Sequence, residues 1–515
     1  MPSFLEKLLS YYGLTDDDYK RLNDTPSFAD LPIIKEDPNV KLALARLEQA
    51  RLKSEPVLIY GDYDTDGVSS ASILFRAFHD FGLAVSAYLP SRYLDGYGVN
   101  ASNVERIAKK GFKLLVTCDN GVTAHEALQK ARELGMETIV IDHHEFDGTE
   151  PECTALVHAD RLGLSEPISA GLLSYFFARA LLGHDDEYLL TLGALSTLSD
   201  AMPLSGVNRL AVRLGLRRLS EQHFPSIALL SDKTSIDERT LQMEVIPKIN
   251  AVGRLLQGTE INRLLNYFAF PEKADLPGIS SWLKDINGQR KELTKQAEAL
   301  LSIDPTEEAI VVRTETPEGL NGLLASRLLE EYGKPVCVFS PALKEPHLLV
   351  GSIRSEEGFN VLKALQATKV PLVSKGGHSF AGGVAIKDED FNLFKKDFLY
   401  SALKHKIEKK EQPLIPLLLS ECTMENYRLI VSFGPFGNGH EAPLFLLERL
   451  DPTTFQYLKD GKYLSTNLLP GIRLFSFSIS SSSFDSPDPV ALQVAFSLHE
   501  WNGRQSLDLL AEKHS

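Results

Sequence analysis

Three aspartates alternate with other residues in GDYDTDG, at Asp62, Asp64 and Asp66. Carboxylates this close repel one another unless a cation or strong hydrogen-bond donors neutralise them. The same spacing opens a calcium-binding EF-hand loop, but the twelfth position, which requires glutamate, is Ile73. The preceding run PVLIY favours a strand, whereas an EF-hand loop follows a helix. The pattern therefore indicates another kind of metal site, with a solvated acidic turn as the alternative.

Further acids and two histidines follow other apolar runs. Asp119 comes directly after FKLLVTC, the triplet Asp142, His143 and His144 begins after ETIVI, and Asp200 ends the apolar part of LLTLGALSTLSDAMPL. Because ligands bind outside the carboxyl ends of parallel strands, we expect four such strand ends to share one site. A lone aspartate in this position is also a common helix cap, which is the alternative for Asp200.

Carboxylates and imidazoles without a thiolate motif are ligands suited to Mn²⁺ or Mg²⁺. Two such ions, about 3.5 to 4 Å apart, can share a bridging carboxylate, generate hydroxide and stabilise charge on a phosphoryl group. The residues therefore predict a two-metal hydrolytic centre for a phosphate ester.

The composition is that of a globular protein, since 43% of the 515 residues are hydrophobic and 24% are charged, enough for three or four domains. No apolar run approaches the roughly 20 residues of a membrane span, so we expect a cytoplasmic protein without a membrane partner. The four cysteines are too widely spaced for a zinc cluster. The net charge of −15 argues against wrapping long duplex nucleic acid but allows a local basic groove.

The order of apolar and amphipathic segments predicts an α/β protein with several domains. Short apolar runs alternate with helical patterns in the first half, which is typical of a parallel sheet. The predicted segments are an N-terminal extension (1–45), a parallel-sheet domain (46–215), a helical region ending in a polar connector helix (216–302), a second α/β domain (303–412) and a small β domain (413–515). The common nucleotide-binding motifs GxxxxGK[ST] and GxGxxG do not occur.

The motifs GDYDTDG, TCDNGV, VIDHHEFDG and SDAMPL occur in the order found in the DHH phosphoesterase superfamily, which is named for a triplet that is Asp142-His143-His144 in this chain. Within it, the chain resembles the bacterial RecJ family through PSRYLDGYG, PKINAVGR, NGLLASRL, GSIRSEEG, GGHSFAGG and GPFGNGHEAPLF. The likeness spans nearly the whole chain. It implies a DHH domain at 46–215, a DHHA1 domain at 303–412 and an OB-like domain at 413–515.

The resemblance also implies roles for the acids and histidines. One metal ion would be held by Asp62, Asp64 and Asp119, and the other by Asp66, Asp119, His143 and Asp200. Asp119 would bridge the two ions, and His144 would contact the scissile phosphate or assist at the metal. Many relatives carry a histidine at the position of Tyr60, so this departure predicts weaker occupancy of the first site.

Five residues are implied to bind the substrate: Arg92, Arg254, Ser352, Arg354 and His378. The arginines suit a 5′ phosphate because a guanidinium group can donate to two phosphate oxygens at once. The alternative for any one of them is a surface ion pair.

The activity that the resemblance implies is 5′ to 3′ exonuclease action on single-stranded DNA, with release of 5′ mononucleotides in repair and recombination. The cofactors would be two Mn²⁺ or Mg²⁺ ions. The partners would be single-stranded DNA and either single-strand-binding protein or a RecQ-type helicase. Two alternatives are a DHH phosphoesterase of short oligonucleotides and a non-catalytic RecJ-like scaffold. Loss of metal-binding acids would mark the scaffold, and these acids are present.

Overall fold

The computed structural model describes residues 2–513 except 97, 357, 405–411, 485, 487, 502 and 503. The described residues form two compact units, one of residues 27–404 and one of residues 2–26 together with 412–513. Each unit has its own apolar core. Within the described ranges, no helix is both long and apolar enough to cross a membrane.

The helices are, in chain order, α1 (Phe4–Tyr12), α2 (Asp16–Leu22), α3 (Pro38–Lys53), α4 (Thr65–Asp80), α5 (Ala101–Lys109), α6 (His125–Glu133), α7 (Ala170–Leu182), α8 (Glu187–Ser199), α9 (Gly206–Gln222), α10 (Pro225–Ala228), α11 (Glu238–Thr240), α12 (Ile246–Leu255), α13 (Arg263–Ala269), α14 (Leu276–Leu300), α15 (Asn321–Tyr332), α16 (Val361–Ala367), α17 (Phe391–Leu403) and α18 (Met424–Ser432). A π-helical turn, Leu241–Val245, precedes α12. Short 3₁₀ turns lie at Phe28–Asp30, Ala159–Arg161, Glu260–Asn262, Glu318–Leu320, Asp388–Asp390, Leu419–Glu421 and Pro452–Thr454.

The larger unit begins with five parallel strands: β1 (Val57–Tyr60), β2 (Val85–Tyr88), β3 (Leu114–Cys118), β4 (Glu137–Asp142) and β5 (Ala155–His158). Their order across the sheet is β2-β1-β3-β4-β5. Strands β1 and β3 are buried along their whole length, which explains their uninterrupted apolar runs. The long helix α14 lies within residues 275–302, where the sequence predicted a connector helix.

The second sheet consists of β6 (Ile310–Arg313), β7 (Val336–Pro341), β8 (Leu348–Arg354), β9 (Ser374–Gly377) and β10 (Ala381–Lys387), in the order β6-β7-β8-β10-β9. Successive side chains of strand β8 point to opposite faces of the sheet. Leu349 and Ile353 pack in a core with residues of α16 and α17, whereas Ser352 and Arg354 lie beside Gly322 of α15. The two faces of this sheet are therefore covered by different helices.

The smaller unit is built on seven strands: β11 (Ile415–Leu417), β12 (Phe445–Leu450), β13 (Tyr457–Leu458), β14 (Tyr463–Leu469), β15 (Ile472–Ser476), β16 (Val490–Trp501) and β17 (Arg504–Lys513). Their order is β11-β12-β16-β17-β15-β14-β13. The predicted fold class, two α/β domains joined by a helical connector and followed by a β domain, is confirmed. Helix α1 belongs to this unit, because Phe4, Leu8 and Leu9 lie in its core and Lys7 forms a 2.7 Å ion pair with Glu421.

Substitution Leu8→Ala should test the attachment of α1. Leu8 is fully buried among residues of the smaller unit, so we expect a loss of about 2–5 kcal/mol in the free energy of unfolding of that unit. Urea unfolding of the full chain measures the loss, and Ser10→Ala, at an exposed position of α1, is the control. Equal unfolding midpoints for both variants would show that α1 contributes no core packing.

Candidate metal centre

The predicted ligands meet where the parallel strands of the first sheet end. Asp62, Asp64 and Asp66 lie in the connection from β1 to α4 or in its first turn, and Asp119 follows β3. Asp142 is the last residue of β4, and the two histidines follow it. Sequence spacing alone thus placed these residues at one edge of the sheet.

The expectation of a fourth strand before Asp200 is wrong, because the preceding apolar run forms helix α8, which Asp200 ends. Nearly all of α8 is buried, so the run is apolar on every side and carries no helical periodicity. Asp200 nevertheless reaches the same cluster, since its Oδ2 lies 3.8 Å from His143 Nε2.

The ligand atoms form overlapping groups whose members lie within 4.8 Å of one another. One group is Asp62, Asp64 and Asp119; another is Asp66, His143 and Asp200; a third is Asp119, Asp142, His143 and His144. Nε2 of His143 connects them, at 3.3 Å from Asp119 Oδ1 and 3.6 Å from Asp66 Oδ2. The arrangement offers two neighbouring cation positions with Asp119 between them.

The electrostatics of the cluster fit divalent cations. Asp62 and Asp119 are each 3% exposed, and Asp62 Oδ1 is buried with no hydrogen-bond partner in the part of the chain that the structure describes. Burial and repulsion from Asp64 raise the pKa of Asp62 to about 8. Burial and the charges of neighbouring carboxylates, Asp66 first, also raise the pKa of Asp119 well above its usual range. Burial lowers the pKa of His143, which keeps its imidazole neutral, as a metal ligand must be.

Asp66 is held by groups far away in the sequence. Its carboxylate accepts hydrogen bonds from the backbone N–H of Ala170 (3.0 Å) and Gly171 (2.7 Å) at the N-terminus of α7, and from Ser196 Oγ (2.5 Å) on α8. A Cβ at Gly171 would lie 2.5 Å from Ser196 Cβ, so only glycine allows this approach. The sequence did not predict a role for Gly171 or Ser196, because nothing distinguishes them from other small residues in apolar helices.

Asp142 orients the second histidine. Its Oδ1 accepts a 2.8 Å hydrogen bond from His144 Nδ1 and also accepts from the backbone N–H of His143 and His144. Burial disfavours a charge on either partner, but their hydrogen bond and mutual attraction outweigh it. They lower the pKa of Asp142 and, with further attraction from Asp66 and Asp200, raise the pKa of His144 to about 9. The pair therefore presents a cationic imidazole at the edge of the cluster.

Tyr60, the residue predicted to weaken the first metal site, makes its hydrogen bonds outside the cluster. Its hydroxyl donates to the carbonyl of Gly98 (3.3 Å) and accepts from Asn103 Nδ2 (2.6 Å). Burial raises the pKa of this phenol far above its usual range, so it stays protonated. The cation position at Asp62, Asp64 and Asp119 thus has carboxylate ligands only among the described residues.

Helix α12, which contains PKINAVGR, packs directly on the acidic loop. Asn250 Oδ1 accepts from both the backbone N–H and the hydroxyl of Thr65 at 2.8 Å. A Cβ at Gly253 would lie 2.5 Å from the carbonyl oxygen of Tyr63, and one at Gly319 would lie 2.2 Å from that of Arg254. These close approaches fix Arg254 between the first sheet and the second α/β domain.

Arg254 is the centre of a group of cationic side chains. Burial, followed by repulsion from Arg92 and Arg290, lowers the pKa of Arg254 to about 10, and Asp64 partly offsets this. Arg354 has a lowered pKa because of burial and the charge of Arg92, and its Nη1 donates to Ser352 Oγ at 3.2 Å. The Nε atoms of Arg92 and Arg290 are buried without a hydrogen-bond partner among the described residues. The sequence did not predict a role for Arg290, because it is one of many polar residues in the connector helix α14.

His378 lies apart from these buried groups. Its side chain is 64% exposed, and Nδ1 is 3.8 Å from Glu145 Oε2. Because Glu145 directly follows His144, the glycine-rich hairpin of the second sheet reaches the rim of the ligand cluster.

Addition of Mn²⁺ should stabilise the protein more at pH 8 than at pH 6. Without a cation, the raised pKa of Asp62 means that the folded state binds more protons than the unfolded state, so the free energy of unfolding falls as pH rises from about 4 to about 8. A cation at 100 times its Kd would add about 2.7 kcal/mol. Differential scanning fluorimetry measures the change in Tm.

Asp62→Asn should raise the metal-free Tm at pH 8, because it removes one repelling charge, and should diminish the gain from Mn²⁺. Asp160→Asn is the control, because that side chain is 64% exposed and lies outside the cluster. A full Mn²⁺ gain in Asp62→Asn would contradict the assignment of Asp62 as a ligand.

Two protein-family models match the chain: the N-terminal domain of the DHH family over residues 56–196 and the RecJ OB domain over residues 415–513. The single-stranded-DNA-specific exonuclease RecJ of Bacillus subtilis is 28% identical, over 92% of this chain and 62% of its own length. The protein of the same name from Thermus thermophilus is 29% identical, over 96% of this chain and 73% of its own length. The chain thus spans less than two thirds of the Bacillus relative.

The crystal structure of Thermus thermophilus RecJ in complex with Mn²⁺ matches with a TM-score of 0.84 and 26% identity, over 99% of this chain and 75% of that chain. A structure of exonuclease RecJ bound to manganese matches with a TM-score of 0.63 and 29% identity, over 73% of this chain and 97% of that chain. Together with the order of the motifs and the geometry of the acid and histidine cluster, these matches show that the chain is similar to RecJ exonucleases, with a region that matches the N-terminal domain of the DHH family and another that matches the RecJ OB domain.

Proposed function

We propose that the chain is a single-strand-specific 5′ to 3′ DNA exonuclease that releases 5′ mononucleotides by two-metal hydrolysis, with Mn²⁺ or Mg²⁺, in DNA repair and recombination. The observation that carries the proposal is the overlap of the ligand groups at Asp119 and His143, beside the buried arginines around Arg254. The names of the relatives and the manganese in their structures support it.

Two ions, when bound, would supply activated water and neutralise charge on the scissile phosphate. Asp62, Asp64 and Asp119 would hold one ion, and Asp66, Asp119, His143 and Asp200 the other. The hydrogen bonds from Ala170, Gly171 and Ser196 would fix the carboxylate of Asp66 before the cation arrives, which reduces the reorganisation needed on binding.

His144 would act on the substrate rather than on the ions. Asp142 holds its Nδ1, so Nε2 of the cationic ring would donate to a non-bridging oxygen of the scissile phosphate and stabilise the charge that develops there. Its raised pKa means that the ring would keep this proton at neutral pH.

The arginine group would bind the 5′ end and the backbone of the strand. Arg254, Ser352 and Arg354 would anchor the terminal phosphate. Arg354 is already hydrogen-bonded to Ser352, and both side chains pack closely against Gly322, where a Cβ would lie 3.0 Å from Arg354 Nη2. Arg92, stacked at 4.6 Å over the ring of Tyr63, would contact the next phosphate. Exposed His378 would line the rim of the cleft between the two α/β domains.

Two rival functions have less support. A non-catalytic scaffold would not need the complete set of metal-binding acids, which this chain retains. A phosphoesterase of short oligonucleotides would not need phosphate contacts beyond the terminal one, such as those we assign to Arg92. We also propose a cytoplasmic location, with single-strand-binding protein or a RecQ-type helicase as partners that would present single-stranded 5′ ends.

The test is digestion of a 5′-labelled single strand of about 20 nucleotides with added Mn²⁺, beside a blunt duplex and a labelled dinucleotide. Early release of labelled mononucleotide from the single strand alone would support the proposal. Hydrolysis of the dinucleotide but not of the long strand would favour the small-substrate enzyme, and no hydrolysis of either would favour the scaffold.

A further inference from the structure

A groove of about 1050 Å³ lies between α16 and α17 of the second α/β domain. These helices pack against the face of the second sheet that carries Leu349 and Ile353. Ser352 and Arg354 point to the opposite face, toward Gly322 of α15. The groove is therefore separated by the sheet from the arginine group and plays no part in the proposed hydrolysis.

Each helix contributes one stripe of side chains to the groove. On α17, most of the lining residues recur at intervals of three and four, namely Lys395, Lys396, Leu399, Tyr400 and Leu403, and Asn392, Asp397 and Ser401 lie beside them. The lining residues of α16, namely Lys363, Ala364 and Ala367, show the same spacing. This is the periodicity of a helix face, so the two helices present one continuous surface.

The groove is basic although the chain carries a net charge of −15. Among the described residues, five lysines and a single acid, Asp397, line it. Asp397 Oδ2 accepts hydrogen bonds from the backbone N–H of Lys369 (2.7 Å) and from Thr368 Oγ1 (3.1 Å), which ties the end of α16 to α17. Lys395 is paired with Glu307 at 2.9 Å.

The other four lysines of the lining have no carboxylate within 4.0 Å among the described residues: Lys363, Lys369, Lys396 and Lys404. All four positions are exposed. In a chain with 69 acidic residues, four neighbouring lysines without an ion pair to any described carboxylate form a local site for a negatively charged ligand.

The groove also has an exposed apolar part. Leu403 is 60% exposed and Tyr400 is 59% exposed, next to partly buried Leu399. Exposed apolar side chains that are contiguous and bordered by charges are typical of protein interaction sites. Exposed lysines beside exposed apolar side chains suit a ligand that carries both negative charge and apolar side chains.

We infer that this groove binds a short acidic segment of a partner protein, anchored by apolar side chains at Leu399, Tyr400 and Leu403. A nucleic-acid strand fits less well for two reasons. Among the described lining residues, the cations are all lysines, which lack the planar fork of arginine. The exposed aromatic ring among them is that of Tyr400, and Lys404 Nζ already lies over it at 4.4 Å. A strand that reached the metal cluster would also have to pass around the sheet.

The test uses the full chain and a fluorescein-labelled peptide of six alternating glutamates and aspartates followed by two leucines and a phenylalanine. Fluorescence anisotropy gives the Kd for this peptide, for the same peptide with serines in place of the apolar residues, and for labelled oligothymidylate of about 20 nucleotides. Lys363→Glu with Lys396→Glu reverses one lysine on each helix. Leu403→Asp tests the apolar part, and Lys387→Glu, outside the groove but in the same domain, is the matched control.

We expect the double reversal to weaken peptide binding at least about tenfold, because like charges then face each other, and Leu403→Asp to weaken it about fivefold. The serine peptide should bind more weakly than the apolar one, and Lys387→Glu should bind like the parent. Hydrolysis of single-stranded DNA should stay unchanged in all variants, so peptide binding is judged separately from the proposed exonuclease activity. Equal Kd values in parent and groove variants would overturn the inference, as would a loss of oligothymidylate binding alone.

Discussion

We expect the substitution Asp119→Asn to reduce the rate of mononucleotide release from single-stranded DNA by about 10³-fold or more, while the protein stays folded. Asp119 is 3% exposed and shares ligand groups with acids on both sides, so its loss removes the bridge between the two cation positions. A 10³-fold effect corresponds to about 4 kcal/mol of transition-state stabilisation, a reasonable share for one bridging ligand. Single-turnover digestion of the 5′-labelled strand measures it.

The substitution is nearly isosteric, and asparagine tolerates the left-handed backbone that Asp119 adopts (φ 59°). The metal-free variant should melt at or above the parent temperature, because one repelling charge is gone. Asp160→Asn is the control, because it replaces an exposed carboxylate outside the cluster with the same amide and should leave both the rate and the Tm unchanged. Activity within a factor of ten of the parent, in a variant that no longer gains stability from Mn²⁺, would exclude Asp119 as the bridging ligand in catalysis.

We expect the substitution Arg354→Ala to lower kcat/KM for a 5′-phosphorylated strand by about 30- to 100-fold, mostly through a higher KM. The guanidinium group of Arg354 bonds to Ser352 and lies in a partly buried site with other cations, where a phosphate would be held by charge-assisted hydrogen bonds of about 1.5–3 kcal/mol. A strand with a 5′ hydroxyl should lose much less, so the preference between the two ends should shrink.

The comparison of 5′-phosphate and 5′-hydroxyl strands separates anchoring of the end from a general loss of charge. Arg354→Lys should recover only part of the effect, since lysine keeps the charge but not the planar fork. Arg313→Ala, at an ion-paired position on β6 of the same domain, should behave like the parent. An equal loss for both kinds of strand would show that Arg354 contacts the backbone and not the terminal phosphate.

The two predictions rest on different kinds of sequence information. Asp119 could be found from the residues alone, because acids that follow buried strands of a parallel sheet meet at one edge. Arg354 could be found only from the resemblance to a family. An arginine on a strand whose side chains alternate between buried and exposed has nothing in the neighbouring sequence that indicates a function. Arg290 had neither signal, and its place beside Arg254 follows from the packing of α14 on α12.

Side-chain chemistry and local periodicity can be read directly from the sequence. From them we could predict the type of metal site, the parallel sheet, the connector helix and the β domain. Contacts between distant segments depend on how the cores pack, and these only the tertiary structure decided. It placed Asp200 at the end of a helix, brought Ser196 to Asp66 across 130 positions and joined α1 to the smaller unit. It also placed the lining residues of α16 opposite those of α17, because a helix face becomes a groove only when another face lies opposite.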